Sequence, residues 1–306
     1  MENVSKDILI RGLVCNDAVN LVAIDAKALC ERAREIHSLS RVCTSALGRA
    51  LMVTAMMGAK LKGEDDKLTT MVKGGGPAGN IICCARPDCT VKGYIENPAL
   101  ELPLGPDGKL DVSSAVGWYG ELTVIRDLGL KEPYIGRCSM ESGEIAEDFA
   151  KYFTVSEQQP SLVYLGLRED SETGAVTAAG GLILQPLPNC PEEVLDKLTD
   201  RAEGIKALTG MLEEGLSLEA AANKLFDGLE LQITDRREPK FRCDCSRERL
   251  ERVLISMGRE ELADMIEKDN GATLTCHFCN TAYAFDGEEL TGLLMEACAP
   301  KKDEMN

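Results

Sequence analysis

The chain opens with two short apolar runs, ILIRGLV and AVNLVAI, broken at Cys15-Asn16-Asp17, and this pattern between Asp7 and Ile24 predicts a strand hairpin. The period then lengthens. From Asp25 to His37, Ala26, Leu29, Cys30, Ala33 and Ile36 recur at three- and four-residue spacing among Lys27, Glu31, Arg32 and Arg34, the pattern of an amphipathic helix. The stretch from Ser40 to Lys60 is rich in Ala, Leu and Met. It is apolar round most of its circumference and predicts a helix central to the main domain. Arg49 near its middle argues against a membrane span, because a central arginine costs about 2.5 to 3.5 kcal/mol on insertion scales.

Strands are expected at Leu68–Lys73, Asn80–Ala85 and Cys89–Ile95, joined by turns at Gly74-Gly75-Gly76-Pro77 and Arg86-Pro87-Asp88, most simply as an antiparallel sheet. Further strands are expected at Gly120–Asp127, Tyr134–Ser139, Leu162–Leu167 and Val176–Gln185, and a helix is expected to begin near Ser142 as its N-cap. From Pro191 to Gln232 the chain turns acidic and helical. Val194, Leu195, Leu198, Ala202, Ile205, Leu208 and Leu212 mark an apolar stripe, Gly204 and Gly210 interrupt it, and Ser217 is placed to cap the next helix. Each interior glycine costs a helix about 1 kcal/mol relative to alanine, so this connector should depend on tertiary support. Two more helices are expected at about Ser246–Met257 and Glu260–Lys268.

The 306 residues are 44% hydrophobic, enough for a substantial core. A formal charge of -17 repels phosphates and excludes non-specific nucleic-acid binding as the expected role. The start, MENVSKDILIRG, lacks a basic segment followed by an apolar one, so a cytoplasmic, reducing environment is expected, with no membrane partner. Thirteen cysteines, an odd number, exclude a fully paired intramolecular disulfide framework.

Four of them carry the chemistry: Cys243 and Cys245 in Cys-Asp-Cys, and Cys276 and Cys279 in Cys-His-Phe-Cys. This CxC and CxxC set is a metal site, a redox site, or both in succession. Four thiolates close a tetrahedral zinc sphere and leave no position for water, so one structural Zn²⁺ per chain is expected and zinc-assisted hydrolysis is not. Structural zinc contributes about 10 to 16 kcal/mol in small peptides, enough to hold a minor domain together. Zinc-held thiolates are also the oxidisable form of cysteine, and a sulfenic acid on Cys276 beside Cys279 allows closure across CxxC. A constitutive zinc-ribbon interaction protein and a thiol-disulfide oxidoreductase using Cys276 and Cys279 stand as alternatives at this stage. The expected architecture is α+β: a large N-terminal domain (1–190) of mainly antiparallel sheet and packed helices, a metastable helical linker (191–232), a small zinc-binding domain (233–298) and a flexible tail (299–306).

The words around the thiols are Phe241-Arg-Cys-Asp-Cys-Ser-Arg-Glu-Arg249 and Cys276-His-Phe-Cys279, with Tyr283-Ala-Phe-Asp286 after them. They resemble the 33-kDa heat-shock chaperone family, the redox-regulated holdases. The resemblance extends through Gly74-Gly-Gly-Pro77, Ser142-Gly-Glu-Ile-Ala146, Tyr152-Phe153, Ser156-Glu-Gln158 and Ala179-Gly-Gly181 with Gln185, over nearly the whole chain. It implies an ATP-independent chaperone, not an enzyme, held inactive in the cytosol with zinc on Cys243, Cys245, Cys276 and Cys279. By the same resemblance, oxidative stress forms the disulfides Cys243-Cys245 and Cys276-Cys279, zinc leaves, the linker unfolds, and a homodimer binds unfolded or partly folded client proteins. The sequence departs from the family in His37-Ser-Leu-Ser-Arg41, which lacks the proline associated with that segment.

Other groups read as structural. Gly74-Gly-Gly-Pro-Ala-Gly79 lacks the Lys-Ser/Thr of a phosphate loop and reads as a turn. Cys83, Cys84 and Cys89 read as core packing and His37 as helix-end packing, while His277 competes poorly against four thiolates. Glu144, Glu147 and Asp148 read as the solvated start of a helix, and Met52, Met56 and Met57, at helical spacing, as core before client surface.

Overall fold

Strands β1 (Ile8–Val14) and β2 (Val19–Asp25) form the expected hairpin, with Cys15, Asn16 and Asp17 turning it at φ of 56, 53 and 61°. The structure is a computed structural model describing residues 6–106 and 108–298, so the expected tail at 299–306 lies outside the described residues. Helices α1 (Lys27–His37) and α2 (Arg41–Gly58) follow as expected. Without a proline between them, Ser38 takes a left-handed φ of 50° to end α1, and Ser40 caps α2 by accepting the Cys43 amide. Strands β3 (Lys67–Lys73), β4 (Ile81–Ala85) and β5 (Thr90–Ile95) form an antiparallel meander, and a short helix α3 (Val112–Val116) precedes β6 (Glu121–Asp127) and β7 (Tyr134–Ser139). Helix α4 (Ile145–Val155), β8 (Leu162–Glu169) and β9 (Val176–Pro186) complete the expected set.

Helix α4 begins later than the Ser142 cap predicts. Its N-cap position is Glu144, which makes no capping bond, and Asp148 reaches back to accept the amides of Glu141 and Ser142. Asp148 is 1% exposed and Glu144 pairs with Arg49 at 2.6 Å, so only Glu147, which is exposed, behaves as the solvated helix start that the charge of this stretch suggests.

The connector forms α5 (Glu192–Ile205), α6 (Leu208–Glu213) and α7 (Leu218–Leu225), the last capped by Ser217 as expected. Two strands that the sequence reading leaves unassigned come next, β10 (Gln232–Arg237) and β11 (Lys240–Phe241). The sheets run β10-β1-β2-β9-β8 and β11-β5-β4-β3-β6-β7. One core lies between them around α2: Leu9, Val22 and Ile24 from the first sheet, Leu68, Val72 and Val124 from the second, and Met52 and Met56 from the helix. Ile10, Leu21, Ala23, Leu182 and Leu184 face the other way, against Leu198, Ile205, Leu208, Leu218 and Leu225 of α5 to α7. The first sheet is therefore buried on both faces, which is why β1 and β2 read as nearly continuous apolar runs. Leu195 falls off the expected stripe and is exposed.

The chain divides into two compact units between Arg242 and Cys243. The cysteine unit thus starts ten positions after the expected 233, because β10 pairs antiparallel with β1, and β11 pairs parallel with β5. Charged Asp235-Arg-Arg-Glu238 hides β10 from a pattern reading, since an edge strand keeps charge on its open side. The second unit holds α8 (Arg247–Met257), α9 (Arg259–Asp269), a hairpin of β12 (Gly271–Thr275) and β13 (Ala282–Asp286), and α10 (Gly287–Cys298). No helix among the described residues is long and apolar enough to cross a membrane.

Candidate metal centre

The hairpin β12–β13 sets Gly271 opposite Asp286 and Thr275 opposite Ala282, and the loop closing it carries Cys276 and Cys279. Three bonds tie that loop. The Cys276 amide donates to the Thr281 carbonyl at 3.0 Å, while the Cys276 carbonyl accepts the amides of Cys279 and Asn280 at 3.3 and 2.8 Å. Asn280 takes the left-handed φ of 56° that lets the loop close, a conformation asparagine tolerates well. Cys243 and Cys245 lie just before α8, whose N-cap, Ser246, accepts the Arg249 amide at 3.3 Å. A tight loop and a helix start thus present two thiols each.

The four sulfurs converge. Cys243 and Cys276 stand 3.7 Å apart, Cys245 and Cys279 stand 3.4 Å apart, and all four lie within 4.8 Å of one another. Four thiolates at about 2.3 Å from one tetrahedral ion would stand about 3.8 Å apart, so the donor set and its spacing fit zinc. Among the described residues this is the group of cysteine, histidine and acidic side chains able to hold a metal ion. His277 is exposed and lies outside it.

Hydroxyls touch the sulfurs. Tyr283 Oη lies 3.2 Å from Cys245 Sγ, and Thr281 Oγ1 lies 3.2 Å from Cys279 Sγ. Burial works to raise the Cys279 thiol, but hydrogen bonds from Thr281, Cys245 and Cys243 outweigh it and bring the thiol down to about 7. Burial prevails at Cys276 and pushes it up. The Tyr283 phenol, hydrogen-bonded to Cys245, is pushed up to about 12.

Arg247 ties the two thiol-bearing segments together. It donates to the Ala284 carbonyl at 2.9 Å, pairs with Glu289 at 2.6 Å and lies over the Phe285 ring at 4.3 Å. The hydrophobic cluster beneath has four fully buried members, Leu254, Leu262, Phe285 and Leu290. So small a core is marginal by itself, and a metal joining both ends of the unit would supply what it lacks.

Sequence reading locates the four cysteines, notes Arg247 and Tyr283 only as part of the words that carry the resemblance, and misses Thr281, the hairpin and α10. One signal for α10 is present: Asp286 and Glu289 form a reciprocal capping box, each carboxylate accepting the other's amide at 2.9 and 3.0 Å. The remaining candidates are structural. His37 is buried at the end of α1 with Nε2 3.0 Å from the Gly93 carbonyl. Cys83 and Cys89 are buried, and Met52, Met56 and Met57 are core. The glycine run packs backbone on backbone: a Cβ on Gly74 would stand 2.2 Å from the Gly117 carbonyl oxygen, and one on Gly76 2.4 Å from that of Ala115.

Comparison with known proteins matches residues 7–286 to the family model described as "Hsp33 protein". The chain is similar to the "33 kDa chaperonin" of Alkaliphilus metalliredigens, 46% identical over 288 residues, covering 94% of this chain and 98% of that protein. It is also similar to the "33 kDa chaperonin" of Clostridioides difficile, 44% identical over 293 residues, covering 95% and 99%. Among solved structures, the 33 kDa chaperonin (heat shock protein 33 homolog) of Thermotoga maritima superposes with a TM-score of 0.87 at 34% identity, covering 96% of this chain and 99% of that one.

Proposed function

This chain belongs to the Hsp33 family, and on that premise we propose that it is a chaperone switched on by oxidation of its four clustered cysteines. The observation that carries the reading is the convergence of four sulfurs from two segments onto one point over a core of four buried residues. Cys243, Cys245, Cys276 and Cys279 would hold one zinc ion in the reduced protein. Bound there, the ion keeps the sulfurs as thiolates and links the segments.

Peroxide converts one thiolate to a sulfenic acid with loss of hydroxide. The neighbouring cysteine sulfur then displaces water and closes a disulfide. Disulfides Cys243-Cys245 and Cys276-Cys279 each withdraw two donors, which ends metal retention and removes the link across the small core. Residues 191–232 then follow as the metastable linker. Two of their three helices are short, and their buried leucines cover the apolar face of Ile10, Leu21, Leu182 and Leu184. Their loss leaves that face for unfolded or partly folded clients, held without ATP by a homodimer in the cytoplasm. No catalytic role is proposed: the Cys276 and Cys279 pair sits in the loop between two strands and not in the first turn of a helix of its own, the setting that activates oxidoreductase thiols.

The test follows zinc release and suppression of client aggregation together while the reduced protein is treated with peroxide at raised temperature. Both are expected to appear in step. Zinc release without holdase activity would sink the switch, and retained zinc with unchanged activity would establish a constitutive zinc ribbon.

A further inference from the structure

The two hydroxyls at the metal centre divide between the thiol pairs. Tyr283 reaches Cys245 of the first pair and Thr281 reaches Cys279 of the second, each at 3.2 Å, and these two sulfurs are the ones 3.4 Å apart. Cys279 as a thiol donates to Thr281 Oγ1, and once either sulfur is a thiolate the hydroxyl holds the only proton left to donate. Neither hydroxyl is loosely held. Tyr283 lies on β13 opposite Leu274, its ring against the small core, and Thr281 closes the CxxC loop through its carbonyl. Their positions are set by backbone pairing before any ligand or oxidant arrives.

Resting on the reading of this cluster as a zinc-held redox site, we infer that Tyr283 and Thr281 are positioning residues that slow the oxidation of Cys245 and Cys279 respectively, and so set the oxidation threshold of each thiol pair. The reaction concerned is attack of a thiolate on hydrogen peroxide. A sulfur lone pair forms the S–O bond, the O–O bond breaks, hydroxide leaves, and the cysteine becomes a sulfenic acid. The second cysteine of the pair then attacks that sulfur, forming S–S and releasing water. An O–H donor on the attacking sulfur occupies a lone pair and stabilises the thiolate. It stabilises the transition state less, because charge has by then moved onto the peroxide oxygen. A hydrogen bond to an ionised acceptor, partly lost on the way to the transition state, slows attack about three- to tenfold.

Tyr283→Phe keeps the ring and removes only the donor; Thr281→Val does the same for the threonine. The experiment uses the full chain, reduced and loaded with one zinc, as wild type and as each variant. After addition of hydrogen peroxide, samples are trapped with an alkylating reagent, and each disulfide is counted by mass spectrometry. In Tyr283→Phe, Cys243-Cys245 should form about three- to tenfold faster while Cys276-Cys279 keeps its rate, and Thr281→Val should show the reverse. A second readout is independent of oxidation: in cobalt-substituted protein, the sulfur-to-cobalt charge-transfer band should shift in both variants.

Unchanged rates at each variant's own pair overturn the inference. So does equal acceleration of both pairs, which marks general loosening, and so does a cobalt band that superimposes on wild type in both variants. If neither disulfide forms in the wild type, the redox reading itself falls and takes this inference with it. The wild-type lane thus separates the two failures.

Discussion

Cys245 and Cys279 bring their sulfurs to 3.4 Å across 34 positions of chain, one at the start of α8 and the other in a hairpin loop. Cys279→Ser replaces one thiolate with a weak neutral ligand and removes part of a binding free energy of about 10 to 16 kcal/mol. Zinc per chain should fall below one in the presence of a mild chelator. Limited proteolysis should then open residues 243–298 while the first unit persists. Unchanged zinc stoichiometry and affinity would count against the assigned centre.

Arg247 to Phe285, at 4.3 Å from ring centroid to guanidinium, is a tie of a different kind. Its ion pair with Glu289 is largely exposed and worth little, so the cation–π contact and the bond to the Ala284 carbonyl dominate. Arg247→Ala should destabilise the second unit by about 1 to 2 kcal/mol and speed zinc transfer to a chelator. Chelator competition kinetics measure this, and wild-type kinetics would show that the hairpin holds without it.

Gly166 in β8 admits the connector. A Cβ there would stand 2.1 Å from Thr209 Oγ1 and 2.4 Å from Tyr164 Oη, the groups through which α6 rests on the sheet. Gly166→Ala should weaken α6 docking by about 1 to 3 kcal/mol. Protease should cut within 191–232 at a lower temperature than in wild type, and the reduced protein should suppress client aggregation without oxidant. Identical cleavage profiles would show that α6 is held elsewhere.

Asp7 supplies the cap that α1 lacks locally. Ala26 at the N-cap has no acceptor, and the Asp7 carboxylate takes the amides of Ala28 and Leu29 at 2.8 and 2.6 Å. Burial raises its carboxyl to about 6, with those two amide bonds opposing. Folded protein therefore keeps a proton that the unfolded chain, with a carboxyl near 3.9, has released. Asp7's contribution is fully present below about pH 4 and is lost as pH rises through about 6. Asp7→Asn should flatten that part of the stability profile by about 3 kcal/mol, read from urea unfolding followed by Trp118 fluorescence at several pH values. A variant with the full wild-type slope would assign the titration to another group.

Local pattern made most of the first unit legible. The β1–β2 turn is written in Cys15-Asn16-Asp17, α1 in its three- and four-residue spacing, and the buried α2 in its near-total lack of polar positions. Strand β10 was not legible, because its run of consecutive charges, Asp235-Arg236-Arg237, resembles a linker until β1 is seen beside it. Asp148 misleads for a similar reason: its charge argues for water, while its partners are backbone amides seven and six positions back.

What the sequence determined by itself is the donor chemistry of the centre, since four thiols in CxC and CxxC suit a closed soft-metal sphere, a pair of disulfides, or both in succession wherever they meet. That they meet, and which groups touch them, was decided by tertiary structure. The hairpin register delivers the Tyr283 hydroxyl to Cys245, 38 positions away, and a contact at that separation leaves no trace in local spacing. Ligand identity is a property of side chains, whereas the donors around a ligand depend on how distant backbones pair.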